Sequence, residues 1–182
     1  KAKKFLVVRR TVRISCGDKR VILAPFKGLR ITYTVDFDHP LITNQSYAME
    51  FSDGVFEREI SRARTFGFLK DVEILKANGL AKGGSLDNAI VLGDFRVINE
   101  DGLRFPDEFV RHKILDSIGD LSLLGVPVIG HLIAYKSGHS LNYRLMRKVV
   151  ANPKNWKLIE VSDEEFGRYK VPSFGILEKL PV

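Results

Sequence analysis

The stretch Phe109-Val110-Arg111-His112-Lys113-Ile114-Leu115-Asp116-Ser117-Ile118-Gly119-Asp120-Leu121 constrains this chain more than any other. Ile114, Leu115, Ile118, Leu121 and Leu124 recur at helical intervals, which predicts an amphipathic helix running to about Leu124. Gly125 stops it, because a glycine takes the left-handed closing conformation without steric cost. His112 and Asp116 then stand one turn apart on one face, and Asp120 continues the row. An imidazole and a carboxylate at that spacing can hold one metal ion. They can equally form a surface helix ion pair. Spacing alone leaves both open.

The rest of the chain reads as one globular domain built around that helix. It has 182 residues, 45% hydrophobic and 28% charged, enough to bury a real core and carry an insertion. No apolar run approaches the roughly 18 residues a membrane span needs. Phe5-Leu6-Val7-Val8 is too short for the apolar region of a signal peptide. Lys1-Ala2-Lys3-Lys4 reads as a linker or the lead into a first strand, and without Met at position 1 a fragment is expected. The single cysteine, Cys16, excludes an internal disulfide and suits a reducing, cytoplasmic setting. It reads as an ordinary small residue rather than a nucleophile. A net charge of +7 favours polyanionic partners: phosphates, nucleic acid, or acidic lipid surfaces in peripheral membrane contact. The basic residues are scattered, with no nucleic-acid motif and no basic stripe with interleaved aromatics, which argues against a nucleic-acid module.

In order, residues 5–14 predict a β-branched strand, Gly17-Asp18-Lys19 a turn, and residues 20–25 a hairpin partner. Residues 29–37 alternate apolar and polar side chains, the pattern of a half-buried strand. His39, before Pro40, reads as a loop residue held extended. A strand at 47–51 and a short helix at 55–60 capped by Ser52 or Asp53 follow. Residues 61–68 become extended near their end. A helix at 71–78 closed by Gly79 and a strand at 88–92, with a short one at 96–98, then suggest a small βαβ unit. After the central helix, Val126-Pro127 and Gly130 bound a loop, residues 131–136 form a strand, and Ser137-Gly138-His139-Ser140 turns into a helix at 141–150. Residues 152–182 read as a loosely ordered tail with one possible strand, 156–161. The class is α+β: a mixed/antiparallel sheet with two helices packed on one face and a βαβ insertion at about 68–98. The expected boundaries are a linker at 1–4, a body at 5–151 and a tail at 152–182.

His139 is the second candidate site, at a helix start where anions are favoured and with Asp120 free to pair with it. A turn histidine without a task explains the same residues. Lys82-Gly83-Gly84-Ser85 lacks the P-loop pattern and reads as a turn, and Arg62, Arg64 and Lys70 as a solvated face. Phe66, Phe68, Phe105 and Phe109 read as core, and His131 as surface or core. No nucleophile elbow or cysteine triad is present. The residues alone suggest zinc held by His112, Asp116 and His139, although a hydrolase of that design also wants a separate carboxylate base.

Five segments go further: Ser61-Arg-Ala-Arg-Thr-Phe-Gly-Phe68, Gly83-Gly84-Ser85, Asn99-Glu-Asp-Gly-Leu-Arg104, Arg111-His-Lys-Ile-Leu-Asp-Ser-Ile-Gly-Asp-Leu121 and Ser137-Gly-His-Ser-Leu-Asn142. Together, in order from about Val7 to Val150, they resemble the UDP-3-O-acyl-N-acetylglucosamine deacetylase family. Its members are zinc amidases acting at the committed step of lipid A synthesis in Gram-negative bacteria. The resemblance implies two similar α+β domains with zinc and substrate between them, and identifies this chain with the second. It implies His112 and Asp116 as zinc ligands, with the third ligand and a glutamate base on a first domain absent from these residues. That argues against His139 as a ligand. It implies instead that His139, oriented by Asp120, protonates the leaving amine and steadies the oxyanion together with Thr65. Lys113, pointing off the ligand face, would meet the substrate diphosphate. The βαβ unit would form the acyl passage, with Val72, Ala81, Ser85, Leu86 and Val91 as lining and Phe66 and Phe68 at the substrate. Lys19, Asp36 and Phe37 would meet the uridine end. A different class of function remains open: a non-catalytic domain that binds a UDP-sugar or an acyl chain.

Overall fold

Leu29-Arg-Ile-Thr-Tyr-Thr-Val35 alternates as expected and forms strand β4 (Leu29–Val35), with Leu29, Ile31, Tyr33 and Val35 buried and the residues between them half-exposed. The structure, a computed structural model, describes residues 3–79 and 82–162, apart from the side chains of residues 73, 75 and 76. β4 belongs to a seven-stranded mixed sheet with β1 (Lys3–Val8), β2 (Val12–Cys16), β3 (Lys19–Ala24), β5 (Gln45–Glu50), β8 (Val128–Tyr135) and β9 (Trp156–Val161). Strand β8 is the hub: it runs parallel to β1 and β4 and antiparallel to β3. The strand expected at 156–161 forms and pairs antiparallel with β1, which takes Lys3 and Lys4 into the sheet. The remainder of the tail, residues 163–182, lies outside the described residues.

Two strand boundaries differ from expectation, each for a tertiary reason. The run 5–14 breaks at Arg9-Arg10-Thr11, where the Arg9 and Arg10 amides donate to the Asn155 carbonyl at 2.7 and 3.3 Å. The break frees β2 to form its hairpin with β3 while β1 stays beside β8. Gly130, read as the edge of a loop, sits inside β8. Its amide donates to the Gly28 carbonyl at 2.8 Å, and an added Cβ would come within 2.8 Å of the Val8 side chain and 3.1 Å of the Ala24 carbonyl oxygen. This glycine serves close packing rather than a turn.

Two helices cover one face of the sheet: α3 (Glu108–Ser122) over β4 and β5, and α4 (His139–Val150) over β2 and β3. Phe109, Val110, Ile114, Ile118 and Leu121 of α3, with Leu141, Leu145, Met146 and Val149 of α4, are buried in the core. A fully buried aliphatic side chain of this kind contributes about 2 kcal/mol. Gly125, at φ +74°, closes the α3 turn as expected. Helix α1 (Asp53–Glu59) is capped by the Ser52 hydroxyl, which accepts from the Val55 amide.

The βαβ unit forms too: β6 (Thr65–Phe68), α2 (Leu69–Ala77) and β7 (Ala89–Leu92), with β6 and β7 parallel and Thr65 opposite Ala89 at one end and Phe68 opposite Leu92 at the other. The expected strand at 96–98 reduces to one bridge between Leu92 and Val97.

Candidate active site on the helix pair

Helix α3 carries His112 and Asp116 on the same turn-to-turn face, with His112 Nε2 3.3 Å from Asp116 Oδ1. His112 Nδ1 lies 3.2 Å from the Ala63 carbonyl oxygen. A carbonyl only accepts, so Nδ1 carries the proton and donates. Nε2 and Asp116 Oδ1 are then two acceptors aimed at each other, an arrangement that calls for a proton or a metal ion between them. Outer hydrogen bonding of this kind also fixes the tautomer a metal-binding imidazole needs. Burial pushes the Asp116 carboxyl up, but with a proton also on His112 Nε2 the hydrogen bonds from His112 and Lys113 outweigh it and hold the group well below the ordinary carboxylate range. Asp116 is therefore an anion at any working pH. The pair fits two ligands of a zinc site.

Lys113 corrects an expectation. Rather than pointing off the ligand face, it pairs with Asp116, its ammonium donating to Oδ2 at 2.7 Å. The i, i+3 spacing allows this on the same face.

His139 is the first residue of α4, and its Nδ1 donates to Asp120 Oδ1 at 2.8 Å. Both Asp120 oxygens are occupied, because Asn142 Nδ2 donates to Oδ2 at 2.8 Å. Asn142 is held in turn by the Ser137 hydroxyl at 2.7 Å, and the Tyr33 hydroxyl donates to the Ser137 carbonyl. Tyr33 is fully buried. Burial, then the charges of Asp116 and Asp120, raise its pKa far above the tyrosine norm, so it stays a neutral donor. The histidine side chain itself is 66% exposed, leaving Nε2 open to a ligand and 3.8 Å from Asp116 Oδ2. The three-ligand set of His112, Asp116 and His139 does not form: no group of three or more His, Cys, Asp or Glu among the described residues is arranged to hold a metal. His139 is committed to Asp120 instead.

Asn142 and Ser137, which the sequence reading places only within a motif, lock the His139–Asp120 pair. The signal was in the sequence: Asn142 interrupts the apolar face Leu141, Leu145, Met146, Val149, and a buried amide there needs partners.

Thr65, exposed at the start of β6, follows Ala63, whose carbonyl anchors His112. What fixes that segment is Arg64, which is buried rather than part of a solvated face; Arg62 and Lys70 are exposed as expected. The Arg64 guanidinium and amide bond Glu108 at 3.0 and 2.9 Å, and Arg64 also reaches Asp101 at 3.0 Å and the Gly102 carbonyl at 2.7 Å. Glu108 opens α3, so this ion pair ties that helix to the residues leading into β6.

Lys113, Lys19, Asp36 and Phe37 line one recess of about 360 Å³. Lys136, which the sequence did not single out, lines it as well, at φ +51° just past β8. Its ammonium lies 2.7 Å from Asp18 and 3.6 Å from Asp36. Phe37 meets Phe66 and Phe68 edge-on at 5.8 and 6.1 Å, and Phe66 packs on Phe109 and towards the His112 ring at 5.2 and 6.2 Å. The phenylalanines thus join the recess to the helix pair.

The remaining candidates lie on the βαβ unit. Val72 sits against Gly67, and Val91 is half-buried with its amide held by Asn99. Ser85 is spent on its own turn, bonding Asn88 and Asp87, while Leu86 is 47% exposed. Ala81 lies outside the described residues.

Comparison with known proteins accords with this geometry. The model of the UDP-3-O-acyl N-acetylglycosamine deacetylase family matches residues 1–151. The UDP-3-O-acyl-N-acetylglucosamine deacetylase of Myxococcus xanthus is 56% identical over 163 residues, 90% of this chain and 52% of that protein. Its namesake in an Anaeromyxobacter strain is 55% identical, over 98% of this chain and 59% of the relative. That of Haemophilus influenzae is 54% identical, over 90% and 54%. The chain spans about half the length of these curated relatives. By the residues that match, the chain belongs to the UDP-3-O-acyl N-acetylglycosamine deacetylase family.

Proposed function

We propose that this chain is one half of a zinc-dependent amidase that removes acetate from UDP-3-O-acyl-N-acetylglucosamine, an early step of lipid A synthesis. The observation that carries the reading is the pairing of two carboxylate–histidine units on adjacent helix turns, His112–Asp116 and His139–Asp120, beside a recess lined by three lysines. A domain that only binds a UDP-sugar has use for the lysines but none for the two histidine pairs.

His112 Nε2 and Asp116 would hold zinc, with a further ligand and a glutamate base from a first domain. When bound, the ion supplies Lewis acidity at the scissile carbonyl. Thr65 offers a hydroxyl proton to that carbonyl oxygen as negative charge develops on it. His139, held by Asp120, presents Nε2 to the same region and passes a proton to the amine as the C–N bond breaks. Lys113, Lys19 and Lys136 offset the charge of the diphosphate, and Asp36 and Phe37 lie at the same recess for the uridine. The half-buried faces of the βαβ unit take the acyl chain, with Phe66 and Phe68 between it and the helix pair. No helix among the described residues is long and apolar enough to cross a membrane. A cytoplasmic enzyme meeting its substrate at the bilayer surface is consistent with that.

The test is acetate release from UDP-3-O-acyl-N-acetylglucosamine by the full natural polypeptide loaded with zinc. Stoichiometric acetate and free amine, abolished by a chelator and restored by zinc, are expected. Tight substrate binding without acetate release would favour the binding domain.

A further inference from the structure

We infer that His39 is a positioning residue that fixes the outer end of the βαβ unit and thereby sets how the acyl chain is held; this rests on the deacetylase reading above. The unit is two parallel strands with two ends. The Thr65/Ala89 end is tied down by Arg64 on Glu108, by Asn99, whose side chain bonds Val91, Leu86 and Ala89, and by Phe66 on Phe109. The Phe68/Leu92 end lies away from these anchors. There His39 Nε2 lies 3.1 Å from the carbonyl of Gly93, the residue that follows β7. Its ring meets Phe68, the last residue of β6, at 5.0 Å. One side chain therefore grips both strands. Phe37 also meets Phe68 edge-on and Leu92 is buried in the core, but His39 supplies the side-chain hydrogen bond at this end.

The grip is directional. The Leu41 amide donates to His39 Nδ1 at 3.3 Å, so Nδ1 is an acceptor and Nε2 carries the proton it gives to Gly93. The histidine is itself held by its loop, its amide donating to the Phe37 carbonyl at 2.8 Å and its carbonyl accepting from Ile42 at 3.0 Å. Pro40 restricts the backbone further. Gly93 is also tied at its amide, which donates to the Arg96 carbonyl at 2.9 Å. His39, Phe37, Phe68, Leu92 and Gly93 line a recess of about 340 Å³ that shares Phe37 and Asp38 with the lysine-lined one. With His39 removed, the Phe68/Leu92 end loses its directional hydrogen bond, keeps only its apolar contacts, and loosens relative to the fixed Thr65 end. The walls that hold a long acyl chain move while His112, Asp116 and Thr65 stay in place.

The experiment uses the full natural polypeptide, zinc-loaded, as wild type, His39→Ala and His39→Gln, with short-chain and long-chain UDP-3-O-acyl-N-acetylglucosamine. His39→Ala should raise KM for the long-chain substrate about tenfold, the worth of one hydrogen bond, with kcat and the short-chain KM unchanged. His39→Gln, which can still donate to Gly93, should recover most of that loss. Backbone hydrogen exchange should quicken at residues 89–92 in His39→Ala and stay unchanged at 108–122. Equal losses on both substrates, or unchanged exchange at 89–92, would overturn the proposal. If wild type releases no acetate, the deacetylase reading fails, and the exchange measurement still decides whether His39 is the clamp.

Discussion

The helix pair and the βαβ unit hold their shapes by different means. On α3 and α4 the two histidine pairs are braced by a chain of hydrogen bonds: Asp120 by Asn142, Asn142 by Ser137, Ser137 by Tyr33, and His112 by the Ala63 carbonyl. Beneath them lies a continuous apolar core. The βαβ unit shares that core on one side only, through buried Ile90 and Leu92 of β7 with Phe66 and Phe68 of β6 packed against it. Its other side is open: Ile74, Leu86 and Leu69 are 60%, 47% and 39% exposed. A site that must hold atoms to fractions of an ångström is built on the first plan. The second plan leaves one side of the unit open, where local opening costs less, which suits the acyl-chain wall proposed above.

The contrast is broken most severely at the buried ion pair that ties the start of β6 to α3. Arg64→Leu leaves the Glu108 carboxylate buried and unpaired, which should cost about 3–5 kcal/mol in chemical denaturation. The same pair predicts an acid limb. Burial raises the Glu108 pKa, but its bonds from Arg64 and the Arg104 amide outweigh that and hold it below its ordinary 4.5. A depressed carboxylate pKa stabilises the fold fully above the ordinary value, and the contribution is lost as pH falls through the lower folded value. Stability should therefore decline below about pH 4.5, and Glu108→Gln should flatten that decline.

A smaller effect sharpens the contrast by touching the helix pair alone. Asn142→Ala removes the bond to Asp120 Oδ2 and leaves the Ser137 hydroxyl without its acceptor. Turnover should fall about tenfold as His139 loses its fixed orientation, with KM for long and short acyl chains moving together. That pattern is the opposite of the one expected for His39→Ala. Smallest of all, Phe68→Leu keeps the His39–Gly93 bond but loses the ring contact, and should shift only the long-chain KM, by about threefold.

What the sequence disclosed follows from the range of each interaction. The i, i+4 pair His112–Asp116 and the Gly125 stop are local and were legible from spacing. So were the βαβ unit and the alternation of β4. The His139–Asp120 pair, though 19 residues apart, could be guessed because two unpaired groups suggested each other. Arg64 and Glu108 lie 44 residues apart, and nothing near Arg64 distinguished it from exposed Arg62. Gly130 carried the same letter as a turn glycine and differs only in having Val8 against it. Lys113 was placed on the wrong side because i, i+3 neighbours can turn toward each other as readily as apart. His39 looked like a loop histidine because its task depends on Gly93, 54 residues away.

The central claim is a division of labour on the helix pair: His112 and Asp116 bind the metal, and His139 moves the proton. It is tested most directly by measuring zinc content and acetate release together for His112→Ala and His139→Ala in the full natural polypeptide. The account predicts that His112→Ala loses both, whereas His139→Ala keeps its zinc and loses turnover by about a hundredfold or more. Zinc lost equally from the two variants, or turnover retained in His139→Ala, would contradict it.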